Sequence, residues 1–156
     1  MSLRHHAGPG LPVHPPLLYL AALLVGIGLN YLWPIAPMPE RCGIAAGVVL
    51  ILLGTVIMPP TLLRFYRAGT PFDPHKPASA LITDGPYRYS RNPAYVALTL
   101  WYLGIALLLN NGWALLLVLG PLLVVDRCVI QREEQHLEAK FGEAYRRYKS
   151  TARRWL

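Results

Sequence analysis

Apolar residues are concentrated in four runs, at residues 17–33, 43–63, 94–109 and 113–130. A helix crosses a bilayer with about 20 apolar residues, with roughly 17 as the lower limit, and each run is near that limit. The sequence therefore predicts an all-α integral membrane protein with four transmembrane helices, forming a single domain over residues 1–156. The alternative, a soluble protein with buried core helices, would lack an amphipathic helix to cover them.

Turn and packing signals divide these runs further. Residues 94–125 carry no charged side chain, and Asn110, Asn111 and Gly112 interrupt them, which favours a helical hairpin over one span. Small residues inside the first two runs are expected to allow close helix packing; they are Gly26, Gly28, Gly43 and Gly47.

Two polar segments complete the expected architecture. The long loop at 68–92 contains several prolines, which stiffen the backbone, so an ordered loop is expected. A C-terminal helix is expected at 131–149, where apolar residues recur at helical spacing between basic ones; they are Leu137, Phe141, Tyr145 and Tyr148. This pattern is typical of an amphipathic helix that lies on the membrane surface or against the loop, and Gly142 is a position where it could bend.

The charge distribution orients the chain. The net charge is +7, and most lysines and arginines lie between the second and third runs and after the fourth. Positive loops face the cytosol, so both termini and the long loop are expected there, with a bacterial inner membrane as the plausible location. Because the basic residues flank apolar runs, the lipid bilayer is a better partner than nucleic acid. No Cys-x-x-Cys pair is present, and no metal site is expected.

The first segment that could form a binding or catalytic site precedes the third run. Asn92 and Pro93 suit the cap and first turn of a helix, whose free N–H groups and dipole attract negative charge. Arginines and tyrosines surround this helix start, so an anionic or aromatic ligand would fit there. The alternative is a basic anchor with an interfacial tyrosine belt.

The second segment follows the fourth run. Glu133 and Glu134 are adjacent acids in a basic region, and they either pair with nearby arginines or bind a cation such as a sulfonium or an amine. Asp126 and Arg127 lie near the bilayer edge, where ionisable residues are functional candidates, although snorkelling also explains Arg127. The hairpin should bring the two segments together in space.

The order of these motifs resembles the isoprenylcysteine carboxyl methyltransferase family, which is related to the membrane phospholipid methyltransferases. The resemblance runs from about residue 64 to the C-terminus. It rests on four motifs in the family's order and spacing: Leu81-Ile82-Thr83-Asp84-Gly85-Pro86-Tyr87, Arg91-Asn92-Pro93-Ala94-Tyr95, Glu133-Glu134-Gln135-His136-Leu137 and Phe141-Gly142-Glu143-Ala144-Tyr145.

The resemblance implies methyl transfer from S-adenosylmethionine. The expected cofactor contacts are Ser79, Ala80, Leu81, Ile82, Tyr87, Asn92, Pro93, Ala94, Tyr95 and Glu133. Arg91 and Glu134 are the expected catalytic residues, because an amine or thiol acceptor would need a base, whereas a carboxylate would need an arginine to position it. The lipophilic or small-molecule acceptor would meet the cofactor near Arg127, with Arg132 as a second contact.

The sequence departs from the family pattern at two positions. Asn92 stands where many relatives have histidine, and it cannot act as a base or carry charge. Val129 stands where relatives that methylate prenylcysteine have arginine, a role that Arg127 or Arg132 would have to fill. The acceptor stays open among carboxylate, amine and thiol. A non-catalytic membrane scaffold is the main rival function, and a small transporter is a weaker one because no inverted repeat is visible.

Overall fold

The structure is a computed structural model that describes residues 14–69 and 79–156. Within these residues the chain is helical, and extended backbone pairs at one isolated bridge, between Ser90 and Arg153. The helices are α1 (Pro15–Leu32), α2 (Glu40–Arg67), α3 (Pro93–Leu108), α4 (Gly112–Leu117), α5 (Leu119–Val124), α6 (Gln131–Phe141) and α7 (Glu143–Thr151). A 3₁₀ turn lies at Gly85–Arg88, and a π-helical turn at Val125–Ile130 joins α5 to α6.

Three helices are long and apolar enough to cross a membrane: Pro15–Leu32, Glu40–Arg67 and the continuous helix Gly112–Phe141. Helix α3 is apolar but shorter, with 16 residues. Large side chains project outward from the first two helices, and Leu24 and Val56 are 58% and 71% exposed. Contiguous apolar surface of this kind is unfavourable in water and suits contact with lipid.

Helices α2 and α3 approach closely because glycine removes side chains from their contact. A Cβ atom at Gly47 would lie 2.7 Å from the backbone oxygen of Gly104, and one at Gly43 would lie 2.9 Å from the oxygen of Leu107. In α1, a Cβ at Gly26 would lie 2.8 Å from Ala114 Cα. The packing prediction is therefore confirmed for these glycines but is wrong for Gly28, which has open space around it.

The hairpin turn lies between α3 and α4, where the sequence predicts it. Asn110 adopts a positive φ of 45°, and the side chain of Asn111 accepts a hydrogen bond from the N–H of Ala114, which caps α4. The N–H of Gly112 donates to the oxygen of Ile35 at 2.8 Å. This bond ties the hairpin to the connection between α1 and α2.

The C-terminal region differs from the expected separate helix at 131–149. The chain continues from α5 through the π-helical turn into α6, and the break comes at Gly142, where φ is 52°. Beyond it, Tyr145 and Tyr148 of α7 are 1% and 8% exposed and pack with Tyr87 of the 3₁₀ turn. The apolar face of α7 is thus covered by the loop, which is one of the two environments that its amphipathic pattern allows.

We predict that Gly47→Ala destabilises the protein by about 1–3 kcal/mol, because the added methyl overpacks the α2–α3 contact. Gly28→Ala is the matched control, and it should be neutral or stabilising by about 0.5–1 kcal/mol because alanine favours helix. Unfolding in detergent, followed by circular dichroism, measures both. Equal stability of the two variants would contradict the close contact.

Candidate active site

The start of α3 is held by the end of the chain. Asn92 occupies the cap position, but the predicted side-chain cap is wrong, because its Nδ2 donates instead to the backbone oxygen of Arg154 at 2.9 Å. Its own backbone oxygen accepts hydrogen bonds from the N–H groups of Tyr95 and Val96. The Asn92 side chain is therefore a structural link between α3 and the C-terminal residues.

Glu134 lies between two arginines. Its Oε1 accepts from Arg91 Nη2 at 2.9 Å, and its Oε2 accepts from Arg154 Nη2 at 2.8 Å. The side chains of Glu134 and Arg91 are 8% and 9% exposed. Hydrogen bonding to Glu134 also raises the pKa of Arg154, which keeps that guanidinium charged. Of the two alternatives that the sequence leaves open for this acid, the geometry favours ion pairing.

Asp126 joins the same network from the π-helical turn. Its carboxylate accepts from Arg154 Nη1 at 3.4 Å and from the indole N–H of Trp155 at 3.0 Å. Arg127 lies 3.9 Å from Asp126, but its side chain is 71% exposed. Asp126 is therefore a fixed part of the network, while Arg127 lies at its exposed edge.

Glu133 has a different environment from its neighbour. Its Oε1 accepts a hydrogen bond from the hydroxyl of Tyr95 at 2.9 Å, and it forms no ion pair with any residue that the structure describes. Burial raises the pKa of the nearby Tyr87 hydroxyl, and negative charge on Tyr148 and Glu133 raises it further. The half-buried carboxylate of Glu133 thus contacts a phenol and has no compensating cation in the part of the chain that the structure describes.

The structure brings together one set of predicted residues and separates another. Tyr87, the first turn of α3 and the paired acids converge at one end of the hairpin; this set includes Arg91, Asn92, Pro93, Ala94, Tyr95, Glu133 and Glu134. Leu81 and Ile82 pack against the tyrosine cluster beside it, whereas Ala80 is half-buried and Ser79 is exposed, its Oγ donating to the oxygen of Gly69. Arg132 is exposed, like Arg127. Residues 70–78 of the predicted loop lie outside the described residues.

An open cleft of about 510 Å³ lies beside this site and not on it. Its walls are Thr83, Arg88, Ala144, Arg147, Tyr148 and Thr151. The cleft borders the 3₁₀ turn and α7, whereas the Tyr95–Glu133 pair lies between α3 and α6. The hydrogen-bond geometry around Glu133 is the more specific indicator of chemistry.

The sequence interpretation missed the residues that organise the site, namely Arg154, Trp155 and the role of Asp126. The available signal was the aromatic and basic composition of the last residues. Composition does not distinguish a solvated basic tail from one that folds back onto an acid.

Comparison with known proteins identifies the family. The sequence profile of the phospholipid methyltransferase family matches residues 42–144, more than half of the chain. The protein therefore belongs to this methyltransferase family and, with its apolar helices, is an integral membrane protein. The predicted isoprenylcysteine methyltransferase-like resemblance is confirmed.

Two relatives share part of their sequence with this chain. An "Uncharacterized protein" of Haemophilus influenzae is 48% identical over 62 residues, which are 40% of this chain and 98% of that protein. A protein-S-isoprenylcysteine O-methyltransferase of Schizosaccharomyces pombe is 39% identical over 69 residues, 44% of this chain and 29% of that protein. The chain thus spans less than a third of the yeast enzyme. No solved structure matches it.

We predict that Glu134→Gln destabilises the protein by about 3–5 kcal/mol, because it leaves the buried guanidinium of Arg91 without a counter-charge. Glu143→Gln is the matched control: that side chain is 69% exposed in a surface pair with Arg146, and its loss should cost less than about 1 kcal/mol. Denaturant unfolding in detergent reports both values. Similar small losses would show that the Glu134 network is weak.

Proposed function

We propose that the protein is an S-adenosylmethionine-dependent methyltransferase that acts on a lipophilic or small amphipathic acceptor in the membrane. The observation that carries this proposal is the carboxylate of Glu133, which is half-buried, bonded to Tyr95, and without an ion pair among the described residues. Membership of a methyltransferase family makes a sulfonium the natural cation for that position.

The residues around Glu133 suit such a cofactor. An uncompensated carboxylate in a partly desolvated site attracts positive charge, and burial strengthens that attraction. Tyr87 and Tyr95 add aromatic surface, which also favours cations. The first turn of α3 supplies backbone N–H groups for anionic parts of the ligand, and Leu81 and Ile82 border the site with apolar surface. When bound, the sulfonium supplies an electrophilic methyl group, and the protein has to align the acceptor with it.

Arg91 and Glu134 receive a positioning role in this proposal. The ion pair between them holds Arg91, which precedes Asn92, beside Glu134, which follows Glu133. We therefore assign them to holding the site together, although the sequence motifs alone suggested catalysis. Arg127 and Arg132, both exposed, are proposed to contact the polar part of the acceptor outside the Tyr95–Glu133 pair.

The acceptor is more consistent with an amine or a thiol than with a carboxylate. Val129, at the position where prenylcysteine-methylating relatives have arginine, is fully buried in the apolar core. Arg91 and Arg154 are already engaged by Glu134. A carboxylate acceptor would therefore meet the charge of Glu133 without a buried arginine to balance it.

In the proposed topology α3 is the third of four spans, and both termini and the 68–92 loop are cytosolic. Its 16 residues extend about 24 Å, short of the roughly 30 Å of a bilayer core, so the tyrosine-rich turn before it would lie at the interface. The basic residues near Glu133 support a cytosolic location for this end, where a water-soluble cofactor is available. For a bacterial chain the membrane would be the inner one.

We predict that Glu133→Gln and Tyr95→Phe each weaken S-adenosylmethionine binding about tenfold or more, because each removes part of the cation site. Glu143→Gln and Tyr89→Phe are the matched controls, since both side chains are exposed. Isothermal titration calorimetry on purified protein in detergent measures all four. Equal affinities for site and control variants would contradict the assignment of Glu133 to cofactor binding.

We also predict transfer of a labelled methyl group from S-adenosylmethionine to a component of a membrane lipid extract. The wild-type protein should label a product that mass spectrometry identifies as an N- or S-methylated amphiphile, and Glu133→Gln should lower the rate at least tenfold. Binding of the cofactor without any labelled product from lipids, prenylated peptides or small amphiphiles would favour the non-catalytic scaffold instead.

A further inference from the structure

The last residues of the chain fold back across the start of α3. We call residues 153–155 the C-terminal strap. The N–H of Arg91 donates to the oxygen of Arg153 at 2.8 Å, and the side chain of Asn92 donates to the oxygen of Arg154 at 2.9 Å. The Ser90 hydroxyl also donates to the Arg154 oxygen, at 3.4 Å. The strap is therefore joined to three consecutive residues of the segment that leads into α3.

The side chains of the strap reach the other helix of the site. The guanidinium of Arg154 bonds to both oxygens of Glu134, at 3.2 and 2.8 Å, and to Asp126 at 3.4 Å. The indole N–H of Trp155 donates to Asp126, and its ring packs against the core cluster that Tyr95 also contacts. The backbone of the strap thus holds α3, and its side chains hold the continuous helix Gly112–Phe141.

We infer that Arg154 is a positioning residue of the methyl-transfer site, and that the strap sets the separation of Tyr95 from Glu133. The inference rests on the proposed function. Tyr95 lies one helical turn after Asn92, and Glu133 is the neighbour of Glu134, so the strap is bonded next to each member of the pair. At the far end of the hairpin a short turn joins the two helices covalently. At this end the strap joins them, together with the direct Arg91–Glu134 ion pair.

The chemistry of Arg154 suits this role. A guanidinium has several N–H donors in a fixed plane and can bridge two carboxylates at once, which an ammonium group cannot do with the same geometry. Arg91 and Arg154 together neutralise Glu134 and Asp126, and Glu133 beside them has no cation among the described residues. The strap therefore also keeps the cation site separate from the ion-pair network.

The decisive comparison is Arg154→Gln with Arg153→Gln. Both remove one positive charge from adjacent positions, but the Arg153 side chain is exposed and contacts the oxygen of Leu156, while its backbone contact with Arg91 is retained. We expect Arg154→Gln to weaken S-adenosylmethionine binding about tenfold and to lower kcat for methyl transfer on the order of 100-fold, because misplacement of about 1 Å can cost that much. Arg153→Gln should change neither quantity by more than about twofold.

Hydrogen exchange supplies a readout that does not depend on the cofactor. In Arg154→Gln the amides of Tyr95 and Val96, bonded to the Asn92 oxygen, should exchange at least tenfold faster than in Arg153→Gln. Unchanged exchange in the first turn of α3 would overturn the strap. Faster exchange with unaltered cofactor affinity and kcat would overturn its positioning role. Absence of cofactor binding by the wild-type protein would instead defeat the proposed function, while exchange would still decide whether the strap holds α3.

Two milder variants keep the test informative if Arg154→Gln does not fold. Arg154→Lys should restore part of kcat relative to Arg154→Gln, because it keeps the charge but loses the bridge between Glu134 and Asp126. Trp155→Phe removes the indole donor to Asp126 and preserves ring packing, so it should lower kcat by a few-fold with little change in Tm. A loss of Tm without a change in kcat in both variants would assign the strap to stability alone.

Discussion

The site depends on one carboxylate, that of Glu134, which is nearly buried between two guanidinium groups. Placing an ion in a region of low dielectric costs several kcal/mol unless its partners are well oriented, and here both oxygens are bonded. The two arginines come from different parts of the chain, the segment before α3 and the C-terminal strap. A single buried acid thus fixes three segments relative to one another.

Adjacent acids perform different tasks because consecutive residues on a helix point about 100° apart. Glu134 faces the arginines and is neutralised, whereas Glu133 faces Tyr95 and forms no ion pair with the described residues. The same rotation explains the contrast between Gly26 and Gly28 in α1, since positions two apart lie on nearly opposite faces. A pair of identical side chains therefore provides both a structural clamp and a candidate ligand contact.

Much of this arrangement follows from the sequence. Apolar runs locate the starts of the four apolar helices to within a few residues, Asn110 and Asn111 mark the hairpin turn, and the hairpin predicts that the segments containing Tyr95 and Glu133 are neighbours. These features are local, or they follow from the hairpin. The continuity of α6 with the helix before it is not visible, because a change from apolar to polar composition occurs where a helix leaves a membrane as well as where it ends.

The strap lies beyond sequence reasoning for a different reason. A run of arginines near the end of a membrane protein has the same composition whether it faces lipid head groups or an internal acid. The choice between these is made by tertiary geometry, through contacts such as Asn92 with the Arg154 backbone. Asn92 illustrates the same limit, because its position at the helix start is predictable, but its side-chain partner is distant in sequence.

The π-helical turn at Val125–Ile130 affects the direction in which Glu133 and Glu134 point from the helix. In this turn the N–H of Gln131 bonds to the oxygen of Asp126, five residues back, so the turn contains one more residue than an α-helix would. If the same six residues were wound as a regular α-helix, everything downstream would swing by about 100° around the helix axis. Glu134 would leave its arginines and Glu133 would leave Tyr95 together. The π-helical winding therefore sets the direction in which the two acids point, and chains of this family can be compared by whether they contain the same turn.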